Sequence, residues 1–143
     1  MYSAVDLARN ILKMCVEDGH PISNLQLQKI LYFVQVAFLK KTGHAIFSDP
    51  IEAWRFGPVV PNAYYEFCGF GGMAIPDIPK GTYAKLSEKE DNFLVQVVND
   101  KRKLSAWDMV MQTHRTGGAW DKTYAGGKGN RMTITLDLIR NFG

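Results

Sequence analysis

The stretch IEAWRFGPVVPNAYYEF, residues 51–67, limits the folds open to this chain more than any other. An apolar and aromatic run, Ile51 to Phe56, has the character of a short strand and ends in Gly57-Pro58-Val59, with Pro61 close behind. Each proline fixes φ near about −65° and removes a backbone donor, so the strand does not run on through them. Gly57 permits a turn that a β-carbon would obstruct. Pro61 suits the first position of a helix, where no amide donor is needed, and a short helix is expected over Asn62 to Cys68. The segment reads as a rigid elbow.

Helical signals surround it. Ser3 is a cap for a first helix that carries Val5, Ala8, Ile11, Leu12, Cys15 and Val16 on one face and ends near Asp18-Gly19. Ser23-Asn-Leu-Gln26 is a capping box opening the strongest element, Leu25 to Lys41. Its apolar residues cover more than half the circumference, which predicts a central, largely buried helix. Ser87-Glu-Lys-Glu90 opens a helix with Phe93, Leu94, Val97 and Val98 on its face, and Ser105-Ala-Trp-Asp108 opens another towards His114. Gly69 to Gly81 is too rich in glycine and proline for regular structure. Trp120 is expected in a short turn, Gly126 to Asn130 in a flexible loop, and Thr133 to Phe142 in a helix or mixed strand and helix. The fold class expected is mainly α, bordering on α+β: about six to seven helices with a short β ribbon around residues 51–56.

No linker or internal repeat divides the chain, so residues 1–143 are expected to form a single compact domain. Hydrophobic residues at 46% and charged residues at 22% fit a folded globule rather than a disordered tail. The longest apolar run, Ile30 to Leu39, is about half of the roughly twenty residues a membrane span needs, and no membrane association is expected. Two cysteines, Cys15 and Cys68, in apolar helical contexts read as reduced, packed thiols. With no secretory leader in view, they point to a reducing cytoplasm.

Candidate chemistry is sparse. No cysteine and histidine spacing fits zinc, and no metal or cofactor is expected. Gly126-Gly-Lys-Gly-Asn130 lacks the Ser or Thr that would hold magnesium after Lys128. A nucleophile paired with His114 would come from Ser105, Cys68 or Cys15, but none lies in the strained elbow of a hydrolase. A buried, hydrogen-bonded structural histidine is the simpler reading. Glu52 and Asp108 are better explained as a strand residue and a helix-start residue than as a carboxylate pair. Lys101-Arg102-Lys103 suits a solvated surface, and no recognition helix or RNA platform accompanies it, so no nucleic-acid partner is expected. The aromatics stand out instead. Trp54, Phe56, Tyr64, Tyr65, Phe67 and Phe70 crowd one short stretch, and such a cluster serves either as core or as a protein-binding patch.

At these residues the chain resembles the Panacea domain family, the domain of the SocA-like antitoxins. The resemblance rests on Leu27-Gln28-Lys29-Ile30-Leu31-Tyr32, on Glu52-Ala53-Trp54-Arg55-Phe56-Gly57-Pro58-Val59, on Pro61 to Tyr64, and on Thr113-His114 followed by Trp120. It covers about residues 4–142 in the family's order. One departure is the stretch Arg115-Thr-Gly-Gly-Ala119, where relatives commonly carry an acidic residue and a proline.

The resemblance implies a non-enzymatic antitoxin, in a family common in phages, that neutralises a toxin encoded beside it by direct contact. In one branch of the family the domain is an adaptor that delivers its toxin to an ATP-dependent protease. On that reading Tyr64, Tyr65, Phe67 and Phe70 are the expected contacts, with Arg55 and Lys29 at the rim. Trp54, Gly57, Pro58, Val59, Tyr32, His114 and Trp120 are expected to build the scaffold.

Overall fold

A computed structural model describes all residues, Met1–Gly143. It is mainly helical, with one small antiparallel ribbon. The elements are α1 (Ala4–Glu17), α2 (Asn24–Thr42), β1 (Glu52–Trp54), β2 (Gly57–Val59), α3 (Pro61–Phe67), α4 (Glu88–Lys101), α5 (Ala106–Thr113), α6 (Ala119–Tyr124) and α7 (Leu136–Phe142).

The serine caps place the helix starts. Ser3, Ser23, Ser87 and Ser105 each accept an amide N–H from the first turn of the helix behind them, and Ser23 and Ser87 form complete capping boxes with Gln26 and Glu90. Helix α2 ends on Gly43 in the left-handed conformation, behind Lys40 and Lys41. Helices α1, α3, α4, α5 and α7 and strand β2 all pack on α2. The apolar core runs through Leu7, Ile11 and Leu12 of α1, Leu27, Ile30, Leu31 and Val34 of α2, and Leu94, Val98 and Ile139 beyond them.

Three expectations are revised, and a fourth, the mixed strand and helix over Thr133 to Phe142, is met. Gly57-Pro58-Val59 does not merely stop the strand: the chain reverses at Arg55-Phe56 and these residues return as β2, pairing Glu52 with Val59, Ala53 with Pro58 and Trp54 with Gly57. Pro58 is tolerated because a two-stranded ribbon consists only of edges. Trp120 lies in a helix, α6, rather than a turn. The 126–130 loop is tied back onto α6 by Gly129 N–H donating to Tyr124 O at 2.9 Å, where a β-carbon on Gly129 would collide with Thr123 O. Finally, the segment before α7 is extended: Arg131 N–H donates to Ala53 O at 2.6 Å, Ala53 N–H to Met132 O at 2.8 Å and Ile134 N–H to Ile51 O at 2.7 Å. Residues 131–134 thus cover the free edge of β1, satisfying backbone groups that the three-pair ribbon leaves open.

No helix is long and apolar enough to cross a membrane. Cys15 is buried as expected, but Cys68 is exposed just past α3, its Sγ against Tyr65 O at 3.4 Å.

Candidate functional site: an aromatic face on a buried polar scaffold

The elbow is held from behind by α2. Gln28 and Lys29, both fully buried, meet the backbone of the elbow directly: Gln28 Oε1 accepts Val60 N–H at 3.0 Å and Lys29 Nζ donates to Pro58 O at 2.9 Å. Gln28 Nε2 in turn donates to Asn24 Oδ1, and Asn24 Nδ2 to Tyr64 O, which ties the start of α2 to α3. Gln35, two turns on, spans the loop before the ribbon by donating to Phe47 O and accepting Ile46 N–H. Polar residues at the heart of an apolar helix are explained by this: they serve backbone groups that sheet pairing does not reach.

Lys29 is therefore not at a rim. It is wholly buried, no carboxylate forms an ion pair with it, and burial pushes its ammonium down to about 7. Its alkyl chain also explains Gly57. At φ +107°, a β-carbon there would lie 2.7 Å from Thr113 Oγ1 and 2.9 Å from Lys29 Cε, so only glycine lets ribbon, α2 and α5 meet.

A second support comes from α5 and α6. His114 stacks on Trp120 with centroids 3.7 Å apart and planes 5° apart, and Trp120 stacks on Tyr124 at 4.6 Å. Trp120 Nε1–H donates to Trp54 O at 2.7 Å, locking the ribbon to α6. His114 is half-buried and stacked rather than hydrogen-bonded, since its Nε2 is buried without a partner. Burial, followed by the charge of Lys29, lowers its pKa, with Asp121 opposing. Tyr32 is buried, which raises its phenol to about 12. Pro58 and Val59 are buried too.

On this support stands an aromatic cluster. Trp54 and Tyr64, half-buried, meet edge to face at 5.0 Å, and Tyr65 stands 5.3 Å from Tyr64. Arg131 lies over the Trp54 ring at 4.1 Å, with its Nη1 3.4 Å from the Tyr65 hydroxyl. Of the expected contact residues, Tyr65 (57% exposed), Phe70 (40%) and Arg55 reach solvent, and Tyr64 partly does; Phe67 is buried beneath α3 and belongs to the core. Phe56, at the ribbon tip, is 53% exposed and joins them.

Two features escaped the sequence reading. Arg131 follows a glycine-rich loop and carries no motif; only the fold brings it to Trp54. Trp107 and Met111, exposed on α5, lie four residues apart opposite the buried Met109, Val110 and Thr113, and that spacing was legible as an unpartnered stripe.

The other candidate groups are dispersed. Ser105 caps α5, Cys15 is buried with its thiol pKa raised by burial, and Cys68 rests on Tyr65 O. Glu52 accepts the Trp54 indole N–H at 2.9 Å, while Asp108 is exposed in the first turn of α5. Arg102 pairs with Asp18 at 2.8 Å and Lys101 lies over Phe33, which breaks up the basic run. No group of three or more His, Cys, Asp or Glu side chains is placed to hold a metal.

No solved structure matches the chain. The sequence model of the family described as "Antitoxin SocA-like, Panacea domain" matches residues 27–121, from the start of the Leu-Gln-Lys motif on α2 to just past Trp120. Antitoxin SocA of Caulobacter vibrioides is 35% identical over 128 residues, covering 82% of this chain and 68% of that protein. The span matched by the family model takes in Gln28, Lys29 and Gln35 of α2, the ribbon and the His114–Trp120 stack. The chain belongs to the SocA-like Panacea-domain family of antitoxins.

Proposed function

We propose that this chain acts as an antitoxin-like binding module that neutralises a toxic protein by covering part of its surface. Membership of the family supports the antitoxin role. The observation that carries the contact mechanism is the exposure of Tyr65, Phe70 and Phe56 on and after an elbow fixed from two sides, by Gln28 and Lys29 of α2 and by Trp120 of α6. Rigid aromatic side chains bury much area at little entropic cost and dominate interface hot spots. Occlusion of this kind needs affinity and stoichiometry but no bond-making group. The partner is a toxin, expected from the adjacent gene.

Co-expression with that gene's product tests the reading. The chain relieves growth arrest, and Tyr65→Ala combined with Phe70→Ala abolishes relief while the purified variant keeps its helical signal and melting temperature. A harmless neighbour, or unimpaired relief by the folded double variant, ends the reading. The partner's half-life distinguishes the mechanism: occlusion leaves it unchanged or longer, whereas delivery to an ATP-dependent protease shortens it.

A further inference from the structure

Beside Trp54 lies a cleft of about 290 Å³. Trp54, Phe56 and Tyr64 supply aromatic surface, and three of its nine lining residues are basic, Lys29, Arg55 and Arg131, with no acidic side chain among them. Neither guanidinium is ion-paired: Arg55 lies over the Phe56 ring at 5.4 Å and Arg131 over Trp54 at 4.1 Å. Lys29, wholly buried in the cleft wall, has the Pro58 carbonyl as its one hydrogen-bond acceptor, although an ammonium offers three donors. Glu52, the acidic residue of the same ribbon, already accepts the Trp54 indole N–H.

Arg131 reaches this position at a conformational cost. Its φ is +65°, a region that residues with a β-carbon seldom occupy, and its amide is fixed to Ala53 O. The fold thus fixes the backbone from which the Arg131 guanidinium reaches the Trp54 ring.

We propose that this cleft receives an acidic side chain of the protein that the chain binds, its carboxylate held by Arg55 and Arg131 with the buried ammonium of Lys29 behind them. The inference rests on the reading of this face as partner-binding and adds the chemistry of the partner's contact. Guanidinium groups favour carboxylates because their paired donors match the two oxygens. Aromatic walls take up the methylene groups of the incoming side chain and exclude water from the ion pair, where charged hydrogen bonds are strongest. The volume lies at the lower edge of the roughly 300–1,000 Å³ of small-molecule sites, which fits a side chain better than a nucleotide. The cleft is continuous with the exposed aromatic face through the Arg131 contact to the Tyr65 hydroxyl.

Isotope-labelled full-length protein is titrated by NMR with N-acetyl-Leu-Glu-amide, N-acetyl-Leu-Gln-amide and AMP, following the Trp54 indole N–H. The glutamate peptide is expected to shift it saturably, and the glutamine peptide to bind at least about tenfold more weakly, the difference one charged hydrogen bond makes. Arg131→Gln and Arg55→Gln each lower the affinity for the glutamate peptide, while Arg131→Lys retains part of it; a well-dispersed amide spectrum verifies each fold. Equal binding of the two peptides, preference for AMP, absence of a saturable shift, or undiminished binding by the folded double variant Arg55→Gln with Arg131→Gln would each overturn the assignment. Relief of toxicity by that double variant removes the cleft but leaves the antitoxin reading intact. A wild-type chain that binds the glutamate peptide yet relieves no toxicity removes the reading and leaves the cleft.

Discussion

Helix α2 is packed in two different ways along its length and around its girth. On one side it packs on α1, whose buried side chains, Leu7, Ala8, Ile11 and Leu12 among them, are all apolar. Towards the elbow it presents Asn24, Gln28 and Lys29, and towards the loop before it Gln35, each matched to a backbone or amide group. Apolar packing is non-directional and contributes in proportion to the area removed from water. A buried hydrogen bond contributes little net stability, but leaving one partner unmet is costly, so it selects one geometry among many. The α1 side therefore keeps the domain folded, and the elbow side fixes where Trp54, Tyr64 and Tyr65 stand.

Substitutions can separate those two roles. The largest loss is expected from Leu12→Ala on the apolar side, about 3–5 kcal/mol in chemical denaturation, because transfer energy and a residual cavity add. Where that variant stays folded, the aromatic face keeps its geometry, which the Trp54 indole resonance reports.

Lys29 gives the polar side a pH signature. Its folded pKa of about 7 lies below its unfolded value, so between those two values the unfolded chain binds more protons and stability rises with pH. The cost of the buried cation is full below about 7 and fades towards about 10.4, a span of up to about 5 kcal/mol. Denaturation of wild type and Lys29→Met across that range checks this; a parallel pH dependence in the variant contradicts it.

Gly57→Ala follows, at about 2–3 kcal/mol, since the new methyl group meets Thr113 Oγ1 and Lys29 Cε on a backbone with positive φ. Unlike Leu12→Ala, it is expected to shift the Trp54 resonance as well as the stability. Smallest is Trp120→Phe, about 1–2 kcal/mol, which keeps a ring against His114 but leaves Trp54 O without its donor. If it costs nothing, water has replaced the indole, and α2 and residues 131–134 hold the ribbon without that bond.

Legibility differed along the same lines. The serine caps, the apolar faces and Gly43 are local signals, and the helix starts at Ala4, Asn24, Glu88 and Ala106 follow from them. Pro58 and Val59 lie inside the fold, and Tyr65 and Phe70 lie at its surface. Lys29 was misplaced because a lysine is almost always exposed unless something inside the fold engages it, and the Pro58 carbonyl is invisible from position 29. Phe67 was misplaced because α3 has one buried face, set by contact with α1, and a seven-residue helix gives too little periodicity to show which.

What the chain's own order of residues determined was local: where helices begin, where the proline elbow falls, and the motifs that identify the family. Caps, turns and periodicity act within a few residues, so they can be read in place. Which charges are buried, that residues 131–134 close the ribbon, and that Arg131 stands on Trp54 were decided only by the tertiary structure. Those contacts join groups far apart in the chain, and their energies arise from desolvation and close approach that exist only after folding.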